Sequence, residues 1–315
     1  MTALLLRRVG LLVLVLFIVS VLTFCIVNVL PGDVAQAILG DLGTPEQVVA
    51  LRERMGLNLP LVQRYQHWIG GLLQGDLGTS LTYQQPIAGM LFGRLGNSAI
   101  LAGITLAIAA PLAIGIGVVA ALKPGGWVDR VISGLAVLCF SLPEYVTGLT
   151  AILVFSILWP VLPGSSLMEP DANPLSHPEA LVLPVAVLVL GMLAHLSQIT
   201  RGGMIVALDS AYVRTAVLKG LPGWVVVLKH ALPNVMLPTL TEIGMHIGYL
   251  LGGIVVVETL FAYAGVGEML VNAVSHRDIP VVQITVLVVA LAYGVGNLLA
   301  DVACILLDPR LRNQS

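Results

Sequence analysis

Long apolar runs separated by shorter polar segments dominate this chain. Six runs carry few or no charged residues, and each is near the about 20 residues that a helix needs to cross a hydrocarbon core about 30 Å thick. These runs are residues 9–30, 95–122, 131–161, 181–200, 237–261 and 279–304. Their backbones are predicted to be helical, because lipid offers no hydrogen-bond partner to an open amide. The pattern predicts an all-α integral membrane protein with six transmembrane helices.

Composition agrees with this class. The chain of 315 residues is 57% hydrophobic and 10% charged, with a mean hydropathy of +0.98. Soluble domains are typically about 45–50% apolar and about 25% charged. The net charge of −2 gives no indication of a nucleic-acid partner. Cys25, Cys139 and Cys304 lie far apart in apolar runs, which favours packing over a disulfide framework or a zinc site.

The basic residues predict the orientation. Arg7 and Arg8 precede the first run, which is long enough to span and ends without an Ala-x-Ala cleavage site, so we expect it to be retained. With a cytoplasmic amino terminus, ten of the fifteen Lys and Arg residues fall in cytoplasmic segments. Four of the other five lie in one long outer loop, where the positive-inside bias counts least. Both termini are therefore predicted to be cytoplasmic.

The outer loop, residues 31–94, is long enough to hold structure of its own. Thr44-Pro45-Glu46-Gln47 resembles a capping box with proline at the first helical position, and Gly56 can end that helix. A second amphipathic helix is predicted after Pro60, from apolar residues at spacings of three or four: Leu61, Tyr65, Trp68 and Leu72. Two interpretations stay open, a cap packed on the spans and a docking surface for a soluble partner. The chain thus divides into residues 1–30, 31–94 and a helical core, 95–315.

A polar segment, residues 201–238, interrupts the core between the fourth and fifth runs. Its centre reads Ala211-Tyr-Val-Arg-Thr-Ala-Val-Leu-Lys-Gly220, followed by His230-Ala-Leu-Pro233. Several basic residues lie here between two membrane-length runs, so the segment is predicted to be a structured cytoplasmic loop that touches a soluble partner.

Sequence signatures of common enzyme classes do not occur. The chain has no Gly-x-x-x-x-Gly-Lys-Ser/Thr loop to cradle ATP phosphates, and no His-Glu-x-x-His, Gly-x-Ser-x-Gly or Ser-x-x-Lys arrangement. His177-Pro178-Glu179 has the wrong spacing for a zinc helix. We therefore do not expect an enzyme.

The polar segment also carries a specific spacing. Gly220 follows Ala216 by four residues, and Leu232-Pro233 follows Gly220 by 12 and 13. This spacing resembles the signature loop of the transmembrane permease subunits of ABC importers, in the dipeptide, oligopeptide and nickel branch. That loop begins with Glu-Ala-Ala in the wider family; here Arg214-Thr215-Ala216 takes its place, a change that is usual in this branch.

Further motifs resemble the same branch in order along nearly the whole chain. They are Leu30-Pro-Gly-Asp33, Gly75-Asp-Leu-Gly78, Ser141-Leu-Pro143, Gly252-Gly253 with Glu258, Gly265-Val-Gly267, Arg277-Asp278 with Pro280, and Asp308-Pro-Arg310. Two positions depart from it. Tyr263-Ala264 stands where the branch usually has Trp-Pro, and Glu144 stands where it usually has a small or neutral polar residue.

The resemblance implies that the loop forms a short coupling helix seated in a groove of a cytoplasmic ATPase subunit. Ala216 and Gly220 would form a small-residue face at i and i+4 that allows close approach, and Pro233 limits helix continuation. An ordinary basic loop would explain the charges but not the glycine and proline. The residues expected to take part in coupling are Tyr212, Arg214, Thr215, Ala216, Lys219, Gly220, Lys229, His230, Leu232 and Pro233.

Ionisable residues at membrane depth face protein or water by default. Glu144, with Tyr145 beside it, is predicted to face the translocation path and to attract a cationic group of the substrate; the alternative is a protonated or internally hydrogen-bonded glutamate in a helix kink. Gly244, Gly248 and Gly252 recur every four residues, which predicts helix packing, together with Gly253, or a smooth lining of the path. Glu258 and Asp301 are expected to be structural.

Histidine and methionine in the spans raise the question of a metal. His195 and His246, with Met192 and Met245, are residue types that bind transition metals. They lie on different predicted helices, and a lone histidine on an apolar helix more often packs, so no metal site is predicted in this chain. Gly244-Met-His-Ile-Gly248 resembles nickel permeases more than dipeptide ones, so a nickel or metal-chelate importer stays an alternative.

The resemblance implies half of a translocation pathway for small peptides or related solutes, in a bacterial or archaeal cytoplasmic membrane. The implied partners are a second homologous permease in a heterodimer, two cytoplasmic ATPase subunits that bind ATP and Mg, and an extracytoplasmic binding protein; this chain itself would hold no cofactor. The alternative from another class is an ATP-independent channel or secondary transporter. A carrier should show inverted repeats, and the sequence contains no such internal repeat.

Overall fold

The computed structural model describes residues 2–29, 44–54, 58–167 and 173–307, and the regular elements in these ranges are helices. The α-helices are α1 (Thr2–Val29), α2 (Pro45–Arg54), α3 (Leu61–Leu73), α4 (Ile87–Ala121), α5 (Trp127–Ser141), α6 (Glu144–Ile152), α7 (Pro178–Leu208), α8 (Ala211–Leu218), α9 (Leu232–Leu260), α10 (Val266–Ser275) and α11 (Ile279–Leu307). Shorter turns complete them: π-helical Leu153–Leu158 and Val226–Ala231, 3-10 Pro174–Ser176, and Gly223–Val225.

Four helices of the described part of the chain are long and apolar enough to cross a membrane. These stretches are Leu6–Val27, Ile87–Ala121, Pro178–Leu208 and Ile279–Leu299, which match the first, second, fourth and sixth predicted runs. The fifth run lies in α9, a helix of 29 residues. The prediction of an all-α membrane protein is confirmed.

The third predicted run is not one helix. It is divided into α5 and α6, whose axes differ by 98°. Pro143 has no N–H to continue the ladder of α5, and Leu142 before it is extended, with φ −91° and ψ 124°. The backbone therefore leaves α5 at Leu142 and starts a new helix at Glu144.

Helix α7 lies at the centre of the fold and packs on α4, α5, α6 and α9. Its crossing with α4 is close, because a Cβ at Gly117 would lie 2.6 Å from the Thr200 Cβ and 2.7 Å from the Ser197 carbonyl oxygen. Only glycine permits this approach. Nothing in the local sequence distinguishes Gly117 from Gly115, which has open space around it.

The predicted outer loop packs on α1 through α3. The hydroxyls of Ser20 in α1 and Tyr65 in α3 are 2.7 Å apart, and the ring of Phe24 contacts those of Tyr65 and Trp68 at centroid distances of 5.4 and 6.0 Å. The capping box is confirmed, since Thr44 Oγ1 accepts from the Gln47 amide at 3.3 Å and Gln47 Oε1 accepts from the Thr44 amide at 3.0 Å. Gly56, Leu30-Pro-Gly-Asp33 and Asp308-Pro-Arg310 lie outside the described residues.

Two buried carboxylates organise the end of the bundle that carries α10. Glu258 accepts hydrogen bonds from the Gly267 amide at 2.7 Å and the Ser98 hydroxyl at 2.5 Å, so it caps the first turn of α10. A Cβ at Gly265 would lie 2.0 Å from its carboxyl carbon. Glu258 is therefore structural, as expected, and the Gly265-Val-Gly267 motif is the backbone that surrounds it.

The second carboxylate, Asp278, fastens the outer loop to the corner between α10 and α11. It accepts from the Ser80 hydroxyl and from the amides of Leu81 and Thr82, each 3.1 Å away.

The Tyr263 side chain, one of the two departures from the branch pattern, is fully buried and donates to the Asn97 carbonyl oxygen at 2.8 Å. Burial raises the pKa of the Tyr263 hydroxyl, so it stays a donor.

Candidate functional site

Helix α8 lies in the polar segment and presents two faces. Val213 and Ala216 point inward and pack in a cluster with Ala121 of α4, Met204 and Ala207 of α7, and Val235 of α9. Tyr212, Val217 and Leu218 are exposed on the opposite side. Helix α8 therefore packs on the π-helical turn Val226–Ala231 and on α7, and its inward residues share a buried cluster with the ends of α4 and α9. Its other residues are exposed.

A short connection joins α8 to α7. Asp209 and Ser210 separate the two helices, and the Ser210 hydroxyl donates to the Ala207 carbonyl oxygen at 2.5 Å. The Arg214 amide bonds back to the Ser210 carbonyl oxygen at 3.1 Å. The two helices are therefore linked closely along the chain.

Gly220 ends α8 in a Schellman motif. Its φ is +75°, its amide donates to the Val217 carbonyl oxygen at 2.9 Å, and the Leu221 amide donates to the Ala216 carbonyl oxygen at 3.4 Å. In this motif the glycine stands four residues after the one whose carbonyl receives the longer-range bond. The spacing of Ala216 and Gly220 is therefore that of a helix cap.

This geometry corrects the expected small-residue face. Gly220 lies beyond the last residue of α8, so it does not share a helix face with Ala216, and Ala216 is buried in a cluster of this chain's own side chains. The interpretation from the sequence assumed that the helix continues to residue 220. The helix stops at Gly220 because the φ of this residue is left-handed. Glycine suits the position, since a residue with a Cβ is disfavoured at such a φ.

The charged residues of the segment lie on the surface. Arg214 donates to Asp209 at 2.8 Å, and both side chains are largely exposed, so this pair adds little stability. Lys219 and Lys229 are exposed and His230 is half-buried. Thr215 is exposed too, with its hydroxyl bonded to the Ala211 carbonyl oxygen at 2.9 Å.

Pro233 stands in the first turn of α9, where its missing N–H costs no helical bond, directly after the π-helical turn Val226–Ala231. Leu232 before it is half-buried. The backbone is nevertheless helical without a break from Gly223 through Pro233 to Leu260, with Ala231 and Leu232 both in the right-handed helical region. The expectation that Pro233 limits helix continuation is therefore wrong, and the π-helical turn stands directly before the proline.

Exposed apolar side chains continue the outward face of α8. Leu218 is 88% exposed and Trp224 69% exposed, and Val217 and Leu228 lie on the same segment. Reasoning from the sequence missed these residues, because it concentrated on charge and on small residues. Apolar side chains beside the basic residues form the kind of surface that a protein partner covers.

Glu144 lies where three helices meet. It begins α6, and its carboxylate packs on Gly253 of α9 and Gly191 of α7: a Cβ at Gly253 would lie 2.6 Å from both carboxylate oxygens, and one at Gly191 3.5 Å from Oε1. The side chain is partly exposed in a small cavity also lined by Cys139, Phe140, Thr147 and Leu190. Tyr145 next to it is exposed.

The glycines of α9 do not act alike. Gly253 makes the close approach to Glu144, whereas Gly252 has no atom of this chain within 4 Å of where a Cβ would stand. Gly244 and Gly248 lie in the same helix. Gly253 is thus the position of this run with a demonstrated packing role within the chain.

The metal-binding residue types are dispersed in the described part of the chain. No group of three or more His, Cys, Asp or Glu side chains there could hold a metal ion. The His195 ring stacks on Phe140 with centroids 6.0 Å apart, and Met192 is buried in the main core. The side chains of Met245 and His246 lie outside the description.

Comparison with known families identifies the chain. The family of binding-protein-dependent transport system inner membrane components matches residues 113–313, and the amino-terminal part of such proteins matches residues 1–105. The chain belongs to this family. It is a multi-pass permease subunit of an ABC importer of the bacterial inner membrane, a component that carries no ATP-binding domain of its own.

Individual members of the family match over their full length. The chain is 36% identical over 312 residues, 99% of both chains, to a peptide transport system permease protein of Brucella abortus (strain 2308). It is 34% identical over 310 residues, 98% of both chains, to a peptide ABC transporter permease protein of Sinorhizobium fredii. It is also 34% identical over 333 residues, 98% of both chains, to the dipeptide transport system permease protein DppB of Escherichia coli (strain K12).

Proposed function

We propose that this permease forms half of the translocation pathway of a peptide importer and is driven through α8 by a cytoplasmic ATPase. The observation that carries the proposal is α8 itself: a helix that packs on α7 and on the π-helical turn Val226–Ala231, with Val217, Leu218 and Trp224 exposed beside basic residues. Closure of the ATPases would displace α8, and its two-residue link would pass the displacement to α7. This movement would open the translocation pathway alternately to the two sides of the membrane.

The proposed topology has six spans with both termini in the cytoplasm. The four long apolar helices, the bent pair α5 and α6, and the 29-residue α9 supply six segments. The distribution of Lys and Arg supports cytoplasmic termini. Residues 31–94 then form an extracytoplasmic region packed on α1, residues 1–30 carry the first span, and residues 95–315 form the core, with the coupling loop at 201–238.

The proposed assembly adds a second homologous permease as a heterodimer partner, two ATPase subunits that bind ATP and Mg, and an extracytoplasmic binding protein. This chain would bind no cofactor. One coupling helix serves one ATPase, so a second permease is needed to complete the pathway. Family membership argues against an ATP-independent channel or secondary carrier.

Small peptides are the proposed substrates, because the relatives above are named as peptide or dipeptide permeases. Glu144 would face the path and attract a cationic group such as a peptide amino terminus, with Tyr145 exposed beside it. Its support is the cavity between α5, α6 and α7. Calorimetric titration of the cognate binding protein with dipeptides, nickel and nickel chelates decides the substrate; binding of nickel chelates without dipeptides would replace the peptide proposal.

Cysteine crosslinking tests the coupling proposal. After Cys25, Cys139 and Cys304 are changed to serine, Leu218→Cys should crosslink to an ATPase subunit in membranes that contain the whole importer. Leu73→Cys, equally exposed on α3, is the matched control and should not crosslink. A chain that purifies alone, with no crosslink from residue 218, would overturn the proposal.

A further inference from the structure

A partly buried ion pair joins two helices near the end of the bundle that carries α8. Arg201 of α7 donates from Nη2 to Asp129 Oδ2 of α5 at 2.7 Å and from Nε to Oδ1. The Asp129 side chain is 4% exposed and that of Arg201 25% exposed. The two residues are 72 positions apart in the sequence. Two parallel bonds fix both the distance and the orientation of the side chains.

Asp129 is also bound within its own segment. Its Oδ2 accepts from the Gly125 amide at 2.8 Å, and the Ser133 hydroxyl lies 3.3 Å from Oδ1. The carboxylate thus caps the turn that begins α5 while it binds Arg201. The start of α5 is therefore positioned directly by α7.

Helix α5 packs on α7 and α4 but buries few of its side chains. Its buried residues are Asp129 and Ala136, whereas Val131, Leu135 and Leu138 are exposed on its outer side. At the near end, α5 is joined to α7 by two side-chain contacts. One is the Arg201 ion pair, and the other is the hydrogen bond that Gln198 Nε2 of α7 donates to Ser133 Oγ of α5 at 3.4 Å. The ion pair is the charged, two-bonded contact, so we expect it to position the start of α5.

Both ends of this connection lie at candidate sites. Arg201 is one turn before Met204 and two before Ala207, the α7 residues on which α8 packs. From Asp129, α5 runs about 18 Å at about 1.5 Å per residue to Ser141, and Leu142-Pro143 then leads to Glu144. The contacts therefore run from α8 to α7, across the ion pair to α5, and along α5 to the Glu144 cavity.

We infer that Asp129 and Arg201 are positioning residues that transmit the movement of the coupling helix α8 to α5 and to the Glu144 cavity. The inference rests on the proposed function, since it assumes that an ATPase drives α8. Without the ion pair, α7 moves and α5 does not follow it. ATP is then hydrolysed with little transport.

The experiment uses the whole importer in proteoliposomes, with binding protein, and measures ATP hydrolysis together with uptake of radiolabelled dialanine. Asp129→Asn and Arg201→Gln are compared with the double variant. We expect ATP hydrolysis stimulated by the binding protein to stay within about twofold of the unaltered importer, while uptake per ATP falls about tenfold. The double variant should lose no more than either single one, because each breaks the same interaction.

Two further variants separate transmission from general stability. Arg130→Gln, an exposed basic residue next to Asp129, should leave uptake per ATP unchanged. Arg201→Lys keeps the charge but not the paired bonds, and should give an intermediate ratio. If Asp129→Asn prevents assembly of the importer, Arg201→Lys is the deciding variant. A normal ratio of uptake to ATP hydrolysis in Arg201→Lys, or a loss of hydrolysis and uptake in parallel, would overturn the inference. An unaltered importer without stimulated hydrolysis would instead refute the proposed function.

Discussion

The carboxylate of Glu144 packs directly on the backbone of Gly253, so that a Cβ at residue 253 would lie 2.6 Å from both of its oxygens. These residues come from α6 and α9, two helices far apart in the chain. Real Cβ atoms do not approach so closely, and a larger residue at 253 must displace the glutamate. The pair therefore gives a way to move Glu144 without removing its charge.

Gly253→Ala is expected to lower uptake about tenfold or more while assembly with the ATPase is retained. The neighbouring Gly252→Ala is the matched control, since residue 252 has open space for a methyl group. Uptake of radiolabelled dialanine and copurification of the ATPase measure the two effects. Equal uptake by the two variants would contradict a role for the position of Glu144.

Glu144→Gln removes the charge and keeps the shape. If Glu144 attracts the substrate's cationic group, uptake of dialanine should fall several-fold, whereas a peptide with an acetylated amino terminus should be affected less. Initial uptake rates over a range of substrate concentrations check this. Unchanged uptake of every substrate would rule out the role in the path.

Gly220→Ala tests the cap of the coupling helix. A residue with a Cβ in the left-handed region costs about 1 kcal/mol or more, although space is open at residue 220. We expect ATP hydrolysis stimulated by the binding protein to fall several-fold with normal membrane insertion, because the end of α8 is reshaped.

Gly223→Ala is the control for that substitution. Residue 223 also has open space, but its φ is not in the left-handed region. Stimulated hydrolysis should therefore stay near normal. Normal stimulation in Gly220→Ala as well would show that the Schellman motif is dispensable for coupling.

Gly265→Ala should destabilise the protein. The added methyl group would overlap the Glu258 carboxyl group and force it away from the Gly267 amide and Ser98. Overpacking of this kind costs about 1–3 kcal/mol, so the unfolding midpoint in detergent should fall by several degrees. Gly96→Ala, which meets no atom within 4 Å, should leave the midpoint unchanged.

Local patterns were enough for the class of protein and for several elements. Uncharged runs near the length of a bilayer predicted the long helices, and Thr44-Pro45-Glu46-Gln47 predicted a capping box that the hydrogen bonds confirm. These features depend on residues within a few positions of each other or on summed hydrophobicity, and both can be read along a chain.

The contacts between helices were decided by tertiary structure alone. In a membrane protein the side facing lipid is as apolar as the side facing protein, so periodicity does not tell which face is buried. The sequence therefore did not place Ala216 inward, or pair Glu144 with Gly253 and Asp129 with Arg201. It supplied the helices and the motifs of the coupling segment, whereas the direction of the break at Pro143 and the packing of α7 brought those residues together.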